Sequence, residues 1–232
     1  MNQETTGIAK LLKRAFRLIS GVAVFGLTIF GIAGRIDWLG AWALTAFFFF
    51  FLAFVLLWGT FNAPELLDER GSTAANVKSW DKTIMRLYRF MLMLLMIIAS
   101  LDAGRFRWSH ISVIWQACAG LVIVLASLVI FWCLRTNAFL SSHARIQDDR
   151  GHSVVKSGPY QYVRHPMYIA LMILMPSVAL LLGSWWALAP AGIIVVLFAI
   201  RTRLEDRMLR EELAGYKDYA NSVRYRLVPR VW

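Results

Sequence analysis

Four apolar stretches constrain the fold of this 232-residue chain more than any other feature. They cover about residues 18–34, 38–61, 84–104 and 111–134. A helix needs about 17–25 predominantly apolar residues to cross the hydrocarbon core of a bilayer, and the backbone must satisfy its own hydrogen bonds there. The overall apolar content of 59% also exceeds the roughly 45–50% of an average soluble domain. We therefore predict four transmembrane helices.

Two shorter apolar segments, about 167–183 and 185–200, follow the longest polar stretch, 135–166. Pro176 and Pro190 interrupt the helical hydrogen-bond ladder, so these segments predict a short, kinked hairpin. The predicted fold class is an all-α integral membrane protein with about six transmembrane helices.

The whole chain, 1–232, is predicted to be a single membrane domain. Residues 1–134 form its four-span part, and 135–232 form a catalytic part with a charged helix that extends from 201 to about Leu213. Residues 8–18 mix basic and apolar side chains, which fits an interfacial helix or, equally, the solvated start of the first span.

The distribution of positive charge predicts the orientation in the membrane. Among 25 lysines and arginines, only Arg35, Arg105 and Arg107 lie in the three loops expected on one side. The positive-inside rule therefore places both termini and the active site in the cytoplasm. The first apolar run lacks a small-residue cleavage site, so we expect no cleaved signal peptide. The net charge of +11 is interpreted as cationic loops that face anionic lipids, not as a nucleic-acid surface.

The polar motif GPYQYVRHPMY, residues 158–168, lies at the start of the hairpin. Pro166 favours an extended backbone at His165, and the tyrosine rings at 160, 162 and 168 suit a flat heterocycle or a cation. Arg164 and His165 could alternatively serve only as interfacial anchors.

Arg201 and Glu205 are spaced i, i+4, on one face of the helix that follows the hairpin. If the hairpin folds back, this face returns to the edge that carries the polar motif. A site that holds both charges suits two ligands together, one zwitterionic and one anionic. A surface ion pair, worth about 0–1 kcal/mol, is the alternative.

Several common site motifs are absent from the sequence. No CxxC, HExxH or paired-histidine spacing indicates a metal, and we expect none. There is no GxGxxG, P-loop or GxSxG either. His110 and His143 are predicted to be solvated loop residues.

Residues 151–168, followed by the apolar hairpin, Arg201, Glu205, two tyrosines at 216 and 219, and RLVP, resemble the isoprenylcysteine carboxyl methyltransferase family. That family is related to the membrane phospholipid methyltransferases. The resemblance covers about residues 145–230.

The resemblance implies an S-adenosylmethionine-dependent methyltransferase that holds its cofactor in a cytoplasmic pocket. Arg201 matches the arginine that orients the substrate, and it is therefore the candidate catalytic and substrate-binding residue. The implied cofactor-binding residues are Gln147, His152, Ser153, Val154, Val155, Tyr160, His165, Pro166, Met167, Tyr168 and Glu205. Two departures are Ala170 in place of a glycine and a segment, 213–216, that is one residue short. The second leaves the register of Arg201 against Arg203 open.

The acceptor is predicted to be the carboxylate of a lipidic or prenylcysteine-like substrate. A carboxylate is ionised at neutral pH and needs only a cation to aim it, a role suited to Arg201. Phospholipid amines, quinone-like lipids and small thiols remain open, and an amine or thiol would require a base such as His165 or Tyr160. The competing classes are an NADPH-dependent membrane sterol reductase and a non-catalytic scaffold or small transporter.

Overall fold

A computed structural model describes residues 2–71 and 76–229, and every regular element in this part of the chain is helical. The described residues form eight α-helices, one π-helix and two 3-10 turns. The α-helices are α1 (Asn2–Ala33), α2 (Leu39–Asn62), α3 (Pro64–Gly71), α4 (Ser79–Ala99), α5 (Val113–Thr136), α6 (Pro166–Leu181), α7 (Leu188–Glu212) and α8 (Tyr216–Ser222). The π-helix, Ser100–Phe106, lies between α4 and α5, and the 3-10 turns, Asp148–Arg150 and Gly158–Gln161, lie between α5 and α6.

In the part of the chain that the structure describes, four helical stretches are long and apolar enough to cross a membrane, in agreement with the four predicted N-terminal spans. They are Leu11–Ala33, Leu39–Asn62, Ser79–Phe106 and Val113–Thr136. Residues 8–18 are continuous with the first of these in α1, which fits both an interfacial helix that runs into the span and the start of the same helix.

One end of the helices is closed by tight contacts between three connections. A Cβ atom on Gly104 would lie 2.6 Å from Ala33 Cβ, so the π-helix packs closely on the end of α1. Buried Asp102 accepts hydrogen bonds from Ser109 Oγ at 2.6 Å and from Ser184 Oγ at 2.5 Å. The loops before α5 and after α6 therefore meet at this end.

The hairpin of α6 and α7 is only partly as predicted. Pro176 lies inside α6, but Pro190 is the third residue of α7. In the first helical turn a proline removes no intrahelical hydrogen bond, so the prediction that Pro190 breaks the ladder is wrong. α7 runs beyond its apolar part to Glu212, which confirms a charged helical segment there.

The connection between α2 and α4 contains regular structure. α3 occupies Pro64–Gly71, and the first turn of α4 includes Asp81, whose side chain is fully buried. Arg14 of α1 pairs with Asp68 of α3 at 2.6 Å. The end opposite Asp102, called the cavity end below, is therefore built from α1, α3, the start of α4 and the segments that follow α5.

Candidate functional site

A single cavity at the cavity end gathers every residue predicted for the site. Its walls come from the segment after α5, the start of α6, the charged part of α7, and α8. The predicted residues that line it are Gln147, His152, Ser153, Val154, Val155, Tyr160, His165, Pro166, Met167, Tyr168, Arg201 and Glu205. Tyr162 is 61% exposed and is not among the lining residues, so the suggestion that its ring helps to form the pocket is wrong.

Glycine is required where the polar motif begins. Gly158 has a φ of +58°, and a Cβ atom there would lie 2.7 Å from Thr136 Oγ1 at the end of α5. A side chain would be both strained and crowded at this point. The close approach holds the following turn, with Pro159 and Tyr160, against α5.

Arg201 is buried and held by two protein acceptors. Its Nε donates to Asp81 Oδ1 at 2.8 Å, and its Nη2 donates to the Ser142 carbonyl at 3.2 Å. The guanidinium carbon lies 5.3 Å from the centre of the Tyr168 ring. Nη1 has no protein partner among the described residues. Arg203 is exposed and lies outside the cavity, so Arg201 is the arginine of this pair that lines it.

Glu205 does not form an ion pair with Arg201, so the interpretation of these residues as a surface ion pair is wrong. Its Oε2 instead accepts a hydrogen bond from Tyr168 Oη. No basic side chain of the described residues lies within ion-pair distance of this carboxylate. The cavity therefore contains a half-buried carboxylate that lacks a protein cation.

Sequence reasoning missed the role of Asp81. It accepts hydrogen bonds from Arg201 and from the Ala144 amide at 3.0 Å, and His143 Nδ1 lies 3.4 Å away. His143 is thus a cavity residue with a partner, and the prediction that it is a solvated loop residue is wrong. The sequence did contain a signal for this role, because Asp81 lies at the start of an apolar span. An acidic side chain at such a position is costly to bury unless it has a partner.

Asp206 is a second buried carboxylate that the sequence did not single out. Arg164 Nε donates to its Oδ1 at 2.7 Å, and Tyr216 Oη donates to the same oxygen at 3.1 Å. Arg210 and Arg226 donate to Oδ2 at 3.1 and 2.9 Å. Burial alone would raise the pKa of Asp206, but these arginines and nearby His165 outweigh burial and lower it below the usual range.

Arg164 and His165 belong to the wall of the cavity and are not interfacial anchors. Both are buried, at 4% and 7% exposure. His165 Nε2 lies 3.6 Å from Asp206 Oδ1, and its ring stacks on Tyr168 with 5.6 Å between the ring centres. The motif therefore uses these side chains to fix the start of α6 against α7 and the tail.

The loop after α5 is braced by Gln147 and His152. Gln147 Nε2 donates to the Phe139 carbonyl at 2.6 Å, and its Oε1 accepts from Arg150 at 2.7 Å. The His152 ring packs on Phe139 with 4.8 Å between the ring centres, and burial lowers the pKa of His152 below its ordinary value. Both polar atoms of the Gln147 side chain already have protein partners. Gln147 therefore helps to hold the cavity wall in place.

The segment Ser153–Val155 differs from that braced loop. Its residues make no hydrogen bond with the other described residues, although they line the cavity. Three consecutive backbone units thus offer free donors and acceptors to a ligand. Tyr160 adds a further polar group, because its buried Oη has no partner among the described residues.

A family model for isoprenylcysteine carboxyl methyltransferases (ICMT) matches residues 118–211. The match supports assignment of this chain to the ICMT family. It extends from α5 to near the end of α7, and it includes Arg201 and Glu205. Asp81 and α8 lie outside the matched residues. No curated protein matches the chain with significance.

The family match and the long apolar helices of the described residues together support a membrane protein of a methyltransferase family. Among the residues that the structure describes, no group of three or more potential ligand side chains is placed to hold a metal ion.

Proposed function

We propose that this chain is an integral membrane methyltransferase that uses S-adenosylmethionine to methylate a carboxylate of a lipidic or prenylcysteine-like substrate. The observation that carries the proposal is the cavity itself. It combines the carboxylate of Glu205, which lacks a protein cation, with the fixed guanidinium of Arg201. A zwitterionic cofactor and an anionic acceptor need these two opposite charges in one place.

The residues present fit this cofactor by their chemistry. Glu205 suits the cofactor ammonium as a charge-assisted acceptor, and the free backbone of Ser153–Val155 suits the polar edge of an adenine. The electron-rich face of Tyr160 suits a sulfonium cation. When bound, the cofactor supplies an activated methyl group.

Arg201 is proposed to aim the acceptor. Two of its nitrogens are fixed by Asp81 and the Ser142 carbonyl, which leaves Nη1 to take an acceptor oxygen. An ionised carboxylate needs no general base, so correct placement is the main requirement, and good placement is worth up to about 7–11 kcal/mol. Burial also raises the pKa of Tyr160, which disfavours Tyr160 as a base for an amine or thiol acceptor.

An apolar groove supports a lipidic acceptor. It is lined along α1, α2, α4 and α6 by side chains that include Phe25, Phe48 and Leu171. The groove residue Tyr88 packs on Phe198 with 5.2 Å between ring centres, and Phe198 packs on Tyr168 of the cavity at 5.5 Å. Apolar space for a chain therefore lies next to the wall of the proposed cofactor site.

We further propose six membrane crossings with a cytoplasmic cavity. The apolar part of α7 and the 16-residue α6 supply the last two crossings. Arg35, Arg105 and Arg107 all lie at the end opposite the cavity. The excess of basic residues at the cavity end supports its cytoplasmic location through the positive-inside rule.

Of the three arginines that line the cavity, only Arg201 keeps a nitrogen without a partner among the described residues, which weighs against an NADPH site. A 2′-phosphate needs available cations, but Arg164 is engaged by Asp206 and by tail carbonyls. Arg145 is engaged by Glu69 and Asp149. This pairing favours the methyltransferase over the reductase.

The proposed activity is tested by transfer of a labelled methyl group. Purified protein is incubated with methyl-labelled S-adenosylmethionine and a panel of prenylcysteine analogues, fatty acids, phospholipids and thiols. Base-labile label in a carboxyl-bearing lipid supports the proposal. Label that enters only amines or thiols would overturn the assigned acceptor class, and no transfer to any acceptor would contradict the activity.

A further inference from the structure

The two faces of α7 beyond the apolar hairpin carry different charges. One face presents Arg201 and Glu205 to the cavity. The opposite face carries Arg203, Arg207 and Arg210, at i, i+4 and i+7, which places them in one row along the helix. This second face takes no part in the proposed methyl-transfer site.

A cleft on this outer face carries a net positive charge. Arg203, Arg207, Arg210 and Arg226 line it together with the carboxylates of Asp206 and Glu211. Four arginines against two carboxylates leave a net positive charge. Because Asp206 is also engaged by Arg164 on the cavity side, it neutralises the cleft only in part.

Two of the cleft arginines are accessible to a ligand. Arg203 is exposed and has no partner among the described residues. The Arg207 side chain is 77% exposed, and its one ion pair with the described residues is to Glu211 at 2.8 Å. An exposed pair of this kind is weak, so Arg207 is available to a stronger anion such as a phosphate.

An apolar stripe leads directly to the cleft. Ile193, Val196 and Ile200 of α7 are exposed by 47%, 57% and 46%, and their spacing places them along one side of the helix. Ile200 and Leu204 line the cleft itself. The exposed side of α7 is therefore apolar up to Ile200 and cationic from Arg203 onward.

We propose that this outer cleft binds the phosphate headgroup of an anionic phospholipid, with an acyl chain against the Ile193–Ile200 stripe. The occupant follows from the two observations together: the arginines match a phosphate, and the adjoining stripe matches a lipid chain but not a soluble anion. Asp206 connects this site to the cavity wall, because its Oδ2 accepts from Arg210 and Arg226 of the cleft while Arg164 of the cavity wall donates to both of its oxygens. The proposal does not depend on which acceptor is methylated.

The test measures lipid binding to the full-length protein in detergent by native mass spectrometry. Phosphatidylglycerol and phosphatidylcholine are each titrated onto wild type and the double variant Arg203→Gln/Arg207→Gln. The matched control is Arg105→Gln/Arg107→Gln, which removes two exposed arginines at the opposite end. Inorganic phosphate is added as a competitor in a separate series.

We expect the cleft variant to bind phosphatidylglycerol roughly 10- to 30-fold more weakly, because each cation near an anionic headgroup contributes on the order of 1 kcal/mol. The control variant should bind it as wild type does, and phosphatidylcholine binding should be unchanged in both. Equal losses in the two variants, or no loss in the cleft variant, would overturn the site. Displacement of the lipid by phosphate at equal concentration would show a soluble-anion site and overturn the lipid assignment.

Discussion

Asp81 Oδ1 lies 2.8 Å from Arg201 Nε, and both side chains are buried. This ion pair connects α4, in the four-span part, to α7, which carries the proposed substrate arginine. Asp81 also holds the Ala144 amide, so one carboxylate fixes both Arg201 and a neighbouring segment of the cavity wall. The N-terminal part therefore contributes to the site and does more than anchor it in the membrane.

The first prediction concerns Asp81 as a positioning residue. Asp81→Asn removes the charge that orients Arg201, and we expect kcat for methyl transfer to fall by roughly 10- to 100-fold, because misplacement by about 1 Å is sufficient for such a loss. The affinity for S-adenosylmethionine should change little, since Glu205 is untouched. Steady-state kinetics and calorimetry on the same preparation measure both quantities.

Asp81→Glu is the matched variant, because it restores the carboxylate at a slightly different position. We expect it to recover part of the lost kcat. If Asp81→Asn lowers cofactor affinity as strongly as kcat, Asp81 serves the general fold of the cavity, and the positioning role is wrong.

The second prediction separates the two charges of the cavity. Arg201→Ala should abolish measurable methyl transfer while cofactor binding persists, because Arg201 is assigned to the acceptor. Methyl transfer at the wild-type rate would show that this assignment is wrong. Arg203→Ala serves as the control, since that side chain lies outside the cavity.

The third prediction concerns Glu205. Glu205→Gln should weaken S-adenosylmethionine binding by about 10- to 100-fold, since a hydrogen bond to a charged group is worth about 1.5–3 kcal/mol. Glu211→Gln, on the exposed face of the same helix, should bind the cofactor as wild type does. If wild type and both variants bind S-adenosylmethionine with similar affinity, the assignment of Glu205 to the cofactor site is wrong.

The fourth prediction concerns stability. Asp206→Asn leaves buried Arg164 without its counter-charge, and breaking a buried pair typically costs about 3–5 kcal/mol. We therefore expect a clear fall in the unfolding temperature in detergent. Asp218→Asn changes an exposed carboxylate of α8 and should leave that temperature unchanged. If Asp206→Asn unfolds at the same temperature as wild type, the structural role of the Asp206 carboxylate is wrong.

The fifth prediction is a pH dependence. Burial lowers the pKa of His152 below 6.5, against the opposing attraction of Asp148 and Glu205. Below pH 6.5 the unfolded chain binds a proton at His152 more readily than the folded chain does. The free energy of unfolding is therefore highest when His152 is neutral, above pH 6.5, and it decreases as the pH falls. Between about pH 8 and pH 5, the unfolding temperature of wild type should fall more than that of His152→Gln. Parallel curves would contradict the prediction.

Local sequence patterns were sufficient for the long apolar helices, and together with the family resemblance they predicted part of the lining of one cavity. Apolar runs define the spans because the bilayer fixes their length. The motif at 158–168, together with the resemblance, predicted residues that the structure brings together around one pocket. The i, i+4 spacing also placed Arg201 and Glu205 on the same face of α7.

Partners across long sequence separations could not be predicted in this way. Asp81 lies 120 residues from Arg201, and no local pattern connects two single charges over that distance. For the same reason the arginines around Asp206, contributed by α7, the polar motif and the tail, read as separate surface charges. Only the packing of α4 against α7 decides that Arg201 pairs with Asp81 and not with Glu205.

The most direct test of the account is calorimetric titration of the purified wild-type protein, in detergent, with S-adenosylmethionine and separately with NADPH. We predict saturable binding of S-adenosylmethionine at one site per chain and no binding of NADPH. Binding of NADPH alone, or of neither compound, would contradict the proposed methyltransferase function.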